Sequence, residues 1–360
     1  MRIALHPDHE TTTIDLALGA EARRYVGSDA SRAAKLMAAR GALPLEATEL
    51  ASVLFALLHD SDETVRDQAS RSLANLPEDV CRGILESHDH PAVLAHFALL
   101  HAGHPDHLER IAANPATDDA TLAYLASLPQ PRVLERLGAN EERLRACNAL
   151  LEALGRNPLT GRATIERILA IADPRPKALA PSELEEAGAA EAAIAELLGE
   201  PCAHFAERLA SESERDANPS PRQDANLFAA VAKMGVLQKI RLARLGGREA
   251  RALLLRDRNK VVASAVVASP KITESEIVSI AQSRNIADEV LRRIAGHREW
   301  TRHYAVKHAL AANPKTPKAQ AIDFLGHLRE RDLRSIARSR DVSSAIAAQA
   351  RRVLQRRQGG

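Results

Sequence analysis

Apolar positions recur along this chain every three to four residues rather than every two, and prolines punctuate the recurrence. After Ser269-Pro270, one apolar set is Ile277, Ile280 and Ala281. Val290, Leu291 and Ile294 form a second, and Val306, Ala309 and Leu310 a third. This spacing predicts helices near 274–283, 287–296 and 299–312. The same series recurs over 319–325, 332–337 and 344–354. Segments 59–76 and 117–154 read alike, so the chain is expected to be built from short helices in series.

The breaks share a composition. Asn114-Pro115-Ala116-Thr117, Asn157-Pro158-Leu159-Thr160 and Asn313-Pro314-Lys315-Thr316 are three copies of one turn, with Ser269-Pro270-Lys271-Ile272 as a degenerate fourth. The first two lie 43 residues apart, and the Ser269 and Asn313 copies 44. A residue before proline is pushed out of the α region, so each preceding helix must stop there. Asn also tolerates the left-handed conformation common just past a helix end, and the following Thr is expected to cap the next helix. Thr273 with Glu276, and Ser182 with Glu185, have the form of capping boxes.

Two segments carry a family resemblance. Residues 309–328, ALAANPKTPKAQAIDFLGHL, resemble the leucine-rich repeat variant, a bacterial helical repeat with an Asn-Pro-x-Thr-Pro turn. Residues 61–76, SDETVRDQASRSLANL, resemble a HEAT repeat, and 236–354 is similar to uncharacterised bacterial HEAT-like proteins. The resemblance implies an all-α fold, an α-solenoid of two- and three-helix HEAT/armadillo-like repeats, each burying its apolar face on its neighbours. The variant family is associated with an iron–sulfur cluster on grouped cysteines. Cys81, Cys147 and Cys202 stand far apart, so no cofactor is carried over and none is expected.

Composition agrees with helices packed through small side chains. Apolar residues make up 45% of the chain but aromatics only 2%, leaving Ala, Leu, Ile and Val to fill the core. Three scattered cysteines suit free thiols in a reducing compartment. The N-terminus lacks an apolar signal region, and no stretch approaches the roughly 18 apolar residues of a membrane helix. A cytoplasmic protein without a membrane partner is expected.

Charge divides the chain sharply. Residues 222–360 hold 28 Lys and Arg against 12 Asp and Glu, a net +16, while 1–221 hold 21 against 35, a net −14. Prolines and the run SESERDANPSP at 211–221 interrupt the repeats near the change of sign. Three parts are therefore expected: an acidic helical array over 1–172, an acidic helix with a Pro/Ser-rich linker over 173–230, and a basic array over 231–360.

Candidate site residues fall mainly in the basic part. The run Lys239, Arg241, Arg244, Arg248, Arg251, Arg256, Arg258 and Lys260 reads either as a surface for anionic groups or as a solvated helix face. Trp300, the only tryptophan, and Tyr304 are four apart and expected on one helix face, as a sealed repeat boundary or a binding hot spot. Shifting by 44 residues places Arg256 and Lys260 in register with them, with Lys307 or His308 one turn on. His88, His90, His96, His101, His104 and His107 read as polar loop and helix-surface residues, because Pro91, Gly103 and Pro105 interrupt any single helix. A metal site or pH sensor is the alternative.

No nucleotide-binding loop or nucleophile elbow is present; LGGRE at 245–249 reads as a helix-ending turn. The expected function is a non-catalytic interaction scaffold that holds a macromolecular partner on a solenoid surface, with an acidic protein on the basic array as the expected partner. The alternative is nucleic-acid binding through phosphate contacts, with a HEAT-like DNA glycosylase behind it. Self-association of the oppositely charged parts is a further route.

Overall fold

The computed structural model describes residues 2–4, 13–27, 29–172, 183–212 and 221–358. Among these are 25 α-helices, one 3₁₀ turn and a single two-stranded hairpin. In the hairpin, Arg2–Ala4 pairs antiparallel with Thr13–Asp15, with Ile3 opposite Ile14. The apolar spacing held no sign of it, since three-residue strands are too short for a period to show. The other regular elements among the described residues are all helical. Among the described residues no helix is long and apolar enough to cross a membrane.

Chain contacts divide the protein into two compact units, 1–167 and 168–360. The change of charge near 222 falls inside the second. In the first unit, Ala20–Val26, Ala47–Leu57, Glu78–Ser87, Pro105–Ala113 and Pro131–Ala139 pack each on the next. Pro91–Leu100, Asp119–Ser127 and Asn148–Arg156 make a second rank beside them. In the second unit, Val236–Leu245, Lys260–Val267 and Asp288–Gly296 pack in succession. There Glu274–Gln282 lies on Tyr304–Ala312, and Lys318–Leu325 on Ser344–Gln358. Packing between non-consecutive helices in this regular order is what a helical repeat needs, because no single helix pair buries its own apolar face.

Helices start and stop for identifiable reasons. Pro91, Pro105 and Pro131 each open a helix, where a missing N–H costs nothing. Asp62, Asp118 and Asn259 cap theirs through side-chain oxygens. The Thr273 capping box is formed in both directions. Ser182 lies outside the described residues. The expected helix over 299–312 is two helices, Arg298–Arg302 and Tyr304–Ala312, broken at extended His303.

The Asn-Pro turns end their helices as expected, but by another mechanism. Asn114, Asn157 and Asn313 are extended, with φ of −69°, −74° and −83°, not left-handed. Each is buried and uses its carboxamide as a clamp. Nδ2 of Asn114 donates to the carbonyls of Leu85 and His88. Nδ2 of Asn157 donates to Ala126 and Leu128, and Nδ2 of Asn313 to Ala281 and Ser283. Each Oδ1 accepts from the backbone N–H two residues on, in Ala116, Leu159 and Lys315. Every copy thus satisfies the last carbonyls of a helix about 30 residues earlier, groups that a helix leaves without internal partners.

The threonines also act backwards rather than capping the next helix. Thr117 and Thr160 donate to the carbonyls of Ile111 and Leu154, in the helices just ended. Thr316 Oγ1 is buried without a protein partner. The degenerate copy departs further, since Ser269 is buried and its hydroxyl also lacks a partner. Cationic side chains do the clamping there: Lys271 Nζ donates to the carbonyl of Leu245 and Arg251 to that of Gly246.

Candidate functional site

The basic run does not lie on one free face. Arg251, read from the sequence as part of that run, is fully buried. Its Nε and Nη2 meet the Glu276 carboxylate, and Nη1 and Nη2 meet that of Glu212. With the Gly246 carbonyl, all five guanidinium donors are used. Its partners hold the guanidinium charged against the opposing effect of burial, and the Glu276 carboxyl is in turn held low by Arg251 despite desolvation. Segment 206–212, inside the expected linker, is therefore docked. Leu209 is buried and its carbonyl accepts from Gly247 N–H at 2.7 Å. A Cβ on Gly247 would meet the Ser211 carbonyl, so only glycine fits.

The other proposed contact residues divide into free and engaged. Arg241, Arg256 and Arg258 are exposed, and none has an ion pair among the described residues. Lys239 is paired with Asp257 at 2.8 Å. Arg244 reaches the Leu169 carbonyl at 3.3 Å. Lys260, Lys307 and His308 are half-buried, and burial lowers the Lys260 pKa. Lys239 and Arg256 come together with Arg258, Leu253 and the exposed Phe228 around a cleft of about 280 Å³.

Trp300 and Tyr304 do not share a helix face, because the chain breaks between them at His303. Trp300 is half-buried and tilts against the His297 ring at 5.7 Å. The Tyr304 hydroxyl donates to the Asp332 carboxylate and accepts from Arg329 N–H at 2.9 Å. Arg329 also stacks on the Tyr304 ring, 4.9 Å from its centre. Tyr304 thereby fastens the start of helix Glu330–Arg338. The 44-residue register does hold for Lys260 and Tyr304, each the first residue of its helix.

The histidines are not simply surface residues. His88 is buried; its Nδ1 accepts from His90 N–H, so Nε2 carries the proton and donates to Ser52 Oγ at 2.9 Å. His90 caps the helix Pro91–Leu100 by accepting from Ala92 N–H. His96 meets Phe55 edge-on. The remaining three converge. One donor atom each from Cys81, His101 and His107 lie within 4.8 Å of one another. His101 Nε2 is 3.5 Å from Cys81 Sγ, and the His101 and His107 rings meet at 4.5 Å. His107 Nε2 is 2.9 Å from Glu78 Oε1. That hydrogen bond holds the Glu78 carboxyl below its ordinary range. Burial pushes the Cys81 thiol up to about 11 and His101 down to about 4. Residues 20 to 26 apart in sequence meet here because helices Glu78–Ser87 and Pro105–Ala113 pack together.

No family model matches the chain, and no curated protein matches it. Among solved structures, the chain is similar to an engineered protein whose crystal structure came from a structural genomics consortium. The two are 16% identical over 94% of this chain and 98% of the other, with a TM-score of 0.19. So low a score bears on neither fold type nor function.

Proposed function

We propose that the chain is a non-catalytic binding scaffold of HEAT/armadillo-like helical repeats, whose basic segment 231–360 takes an acidic protein partner. The supporting observation is an imbalance in pairing. Of the eleven Asp and Glu in 231–360, nine are within ion-pair distance of a basic side chain. The acidic groups are consumed internally, whereas Arg241, Arg256 and Arg258 remain exposed without ion pairs among the described residues. Exposed unpaired guanidinium groups attract carboxylates in a partner and steer its approach. Exposed Phe228 at the Arg256 cleft adds an apolar contact suited to a peptide side chain.

The experiment is capture from nuclease-treated lysate with the full-length protein and with a triple variant, Arg241→Glu, Arg256→Glu and Arg258→Glu. The reading expects acidic proteins that survive nuclease and are lost with the triple variant. Capture that depends on nucleic acid, or that the triple variant retains, contradicts it.

A further inference from the structure

We propose that Cys81, His101 and His107 form a mononuclear site for a divalent transition cation, Zn(II) by the chemistry of its donors, with Glu78 holding His107 in place. The site lies wholly within the first unit and is independent of the basic segment.

The donor set is the first argument. One thiol and two imidazoles suit zinc, whereas magnesium and calcium need oxygen ligands. Geometry is the second. Around a tetrahedral zinc with bonds of about 2.0–2.3 Å, ligand atoms sit roughly 3.3–3.8 Å apart. Cys81 Sγ and His101 Nε2 are already at 3.5 Å. Since no two of the three donors exceed 4.8 Å, small side-chain rotations close the site.

His107, whose side chain is 9% exposed, adds an unsatisfied ligand atom. A carboxylate only accepts, so Nε2 carries the proton that meets Glu78, and in the neutral ring Nδ1 is the acceptor. That Nδ1 is buried without a protein partner. A buried acceptor left bare costs free energy, and a cation would satisfy it. Glu78, His107 and the cation would then form the carboxylate–histidine–metal arrangement in which the outer carboxylate fixes both tautomer and ring. Phe97 stacks on His101 at 5.7 Å and fixes the second ring. A cleft of about 290 Å³, lined also by exposed His104, opens onto the three residues. It gives a path for the ion and leaves the fourth position to water or His104.

The test uses chelator-treated full-length protein titrated with Co(II), a spectroscopic stand-in for zinc. The expected result is one equivalent bound, with a thiolate-to-cobalt charge-transfer band in the near-ultraviolet that Zn(II) abolishes. Cys81→Ala should remove the band, and Cys202→Ala should keep it. Glu78→Gln, a change at an exposed side chain, should keep the band but weaken affinity about tenfold to a hundredfold. Should Cys81→Ala fail to fold by circular dichroism, the titrations of the unaltered protein and of Glu78→Gln decide the matter. No charge-transfer band at one equivalent, a band persisting in folded Cys81→Ala, or unchanged affinity in Glu78→Gln would overturn the proposal.

Discussion

The Asn313 carboxamide donates to the carbonyl of Ala281, 2.7 Å away and 32 residues earlier. It donates also to Ser283 and accepts from Lys315 N–H, so one side chain closes three backbone groups at once. Asn313→Ala would leave the two carbonyls without this donor, and at about 1 kcal/mol or more for each lost bond the expected cost is about 2–4 kcal/mol. Asn313→Asp would turn the donor into an anion facing two carbonyl oxygens, and should cost at least as much. Urea denaturation of both variants measures this; an Asp variant as stable as the parent would refute the clamp.

The threonines of the same turn allow an internal comparison. Thr160 Oγ1 donates to Leu154, but Thr316 Oγ1 is buried without a protein partner. Thr160→Val should destabilise by about 1 kcal/mol, the net worth of one hydrogen bond. Thr316→Val should be neutral or stabilising, because it removes a buried hydroxyl that makes none. Equal losses in thermal unfolding would count against the reading.

Arg251 is a fully buried charged side chain of the second unit, paired with Glu212 and Glu276. Truncation to Ala would leave Glu276, 12% exposed, with Thr273 as its remaining partner and uncap the Gly246 carbonyl, while Glu212, 45% exposed, would be rescued by water. Breaking a buried pair costs about 3–5 kcal/mol, so a loss near the lower end is expected. Arg251→Lys should recover only part of it, since an ammonium group cannot fill a five-donor fork. Full stability in the Lys variant, followed by circular dichroism on heating, would show the fork to be unnecessary.

How much of this was legible in the sequence depends on range. The helices expected after Ser269 begin within two residues of expectation because Ile277, Val290 and Leu310 mark their buried faces locally, although the last runs four residues further, to Gln358. The Asn-Pro breaks were visible for the same reason, yet the clamp was not, because its partners lie about 30 residues away. The break at His303 carries neither proline nor glycine, so an unbroken apolar pattern concealed it and joined Trp300 to Tyr304. Arg251 looked like one more surface arginine because Glu212 and Glu276 flank it only in space. Cys81, His101 and His107 lie on separate helices and loops, where no spacing rule applies.

His88 gives the protein an acid-sensitive joint in the first unit. Burial lowers its pKa from the ordinary 6.5, with exposed Asp89 opposing and His90 assisting. Below about pH 6.5 the unfolded chain takes up a proton that the folded chain resists, so stability falls with pH; above that value His88 contributes no slope. His88→Gln should flatten this part of the stability profile, measured by denaturant midpoint against pH. A profile steeper in the variant than in the parent would contradict the assignment.

Arg241, Arg256 and Arg258, exposed and without ion pairs among the described residues, are proposed to hold an acidic partner. The most direct test is the salt dependence of binding to fluorescently labelled poly-glutamate, measured by anisotropy on the full chain. Raising salt from about 50 to about 500 mM shortens the screening length to a few ångströms, so charge-driven affinity should fall by at least about tenfold. The combined Arg241→Glu, Arg256→Glu and Arg258→Glu variant should bind weakly at every salt concentration while its melting temperature stays within a few degrees of the parent. Binding that is insensitive to salt, or equally strong in the triple variant, would contradict the account.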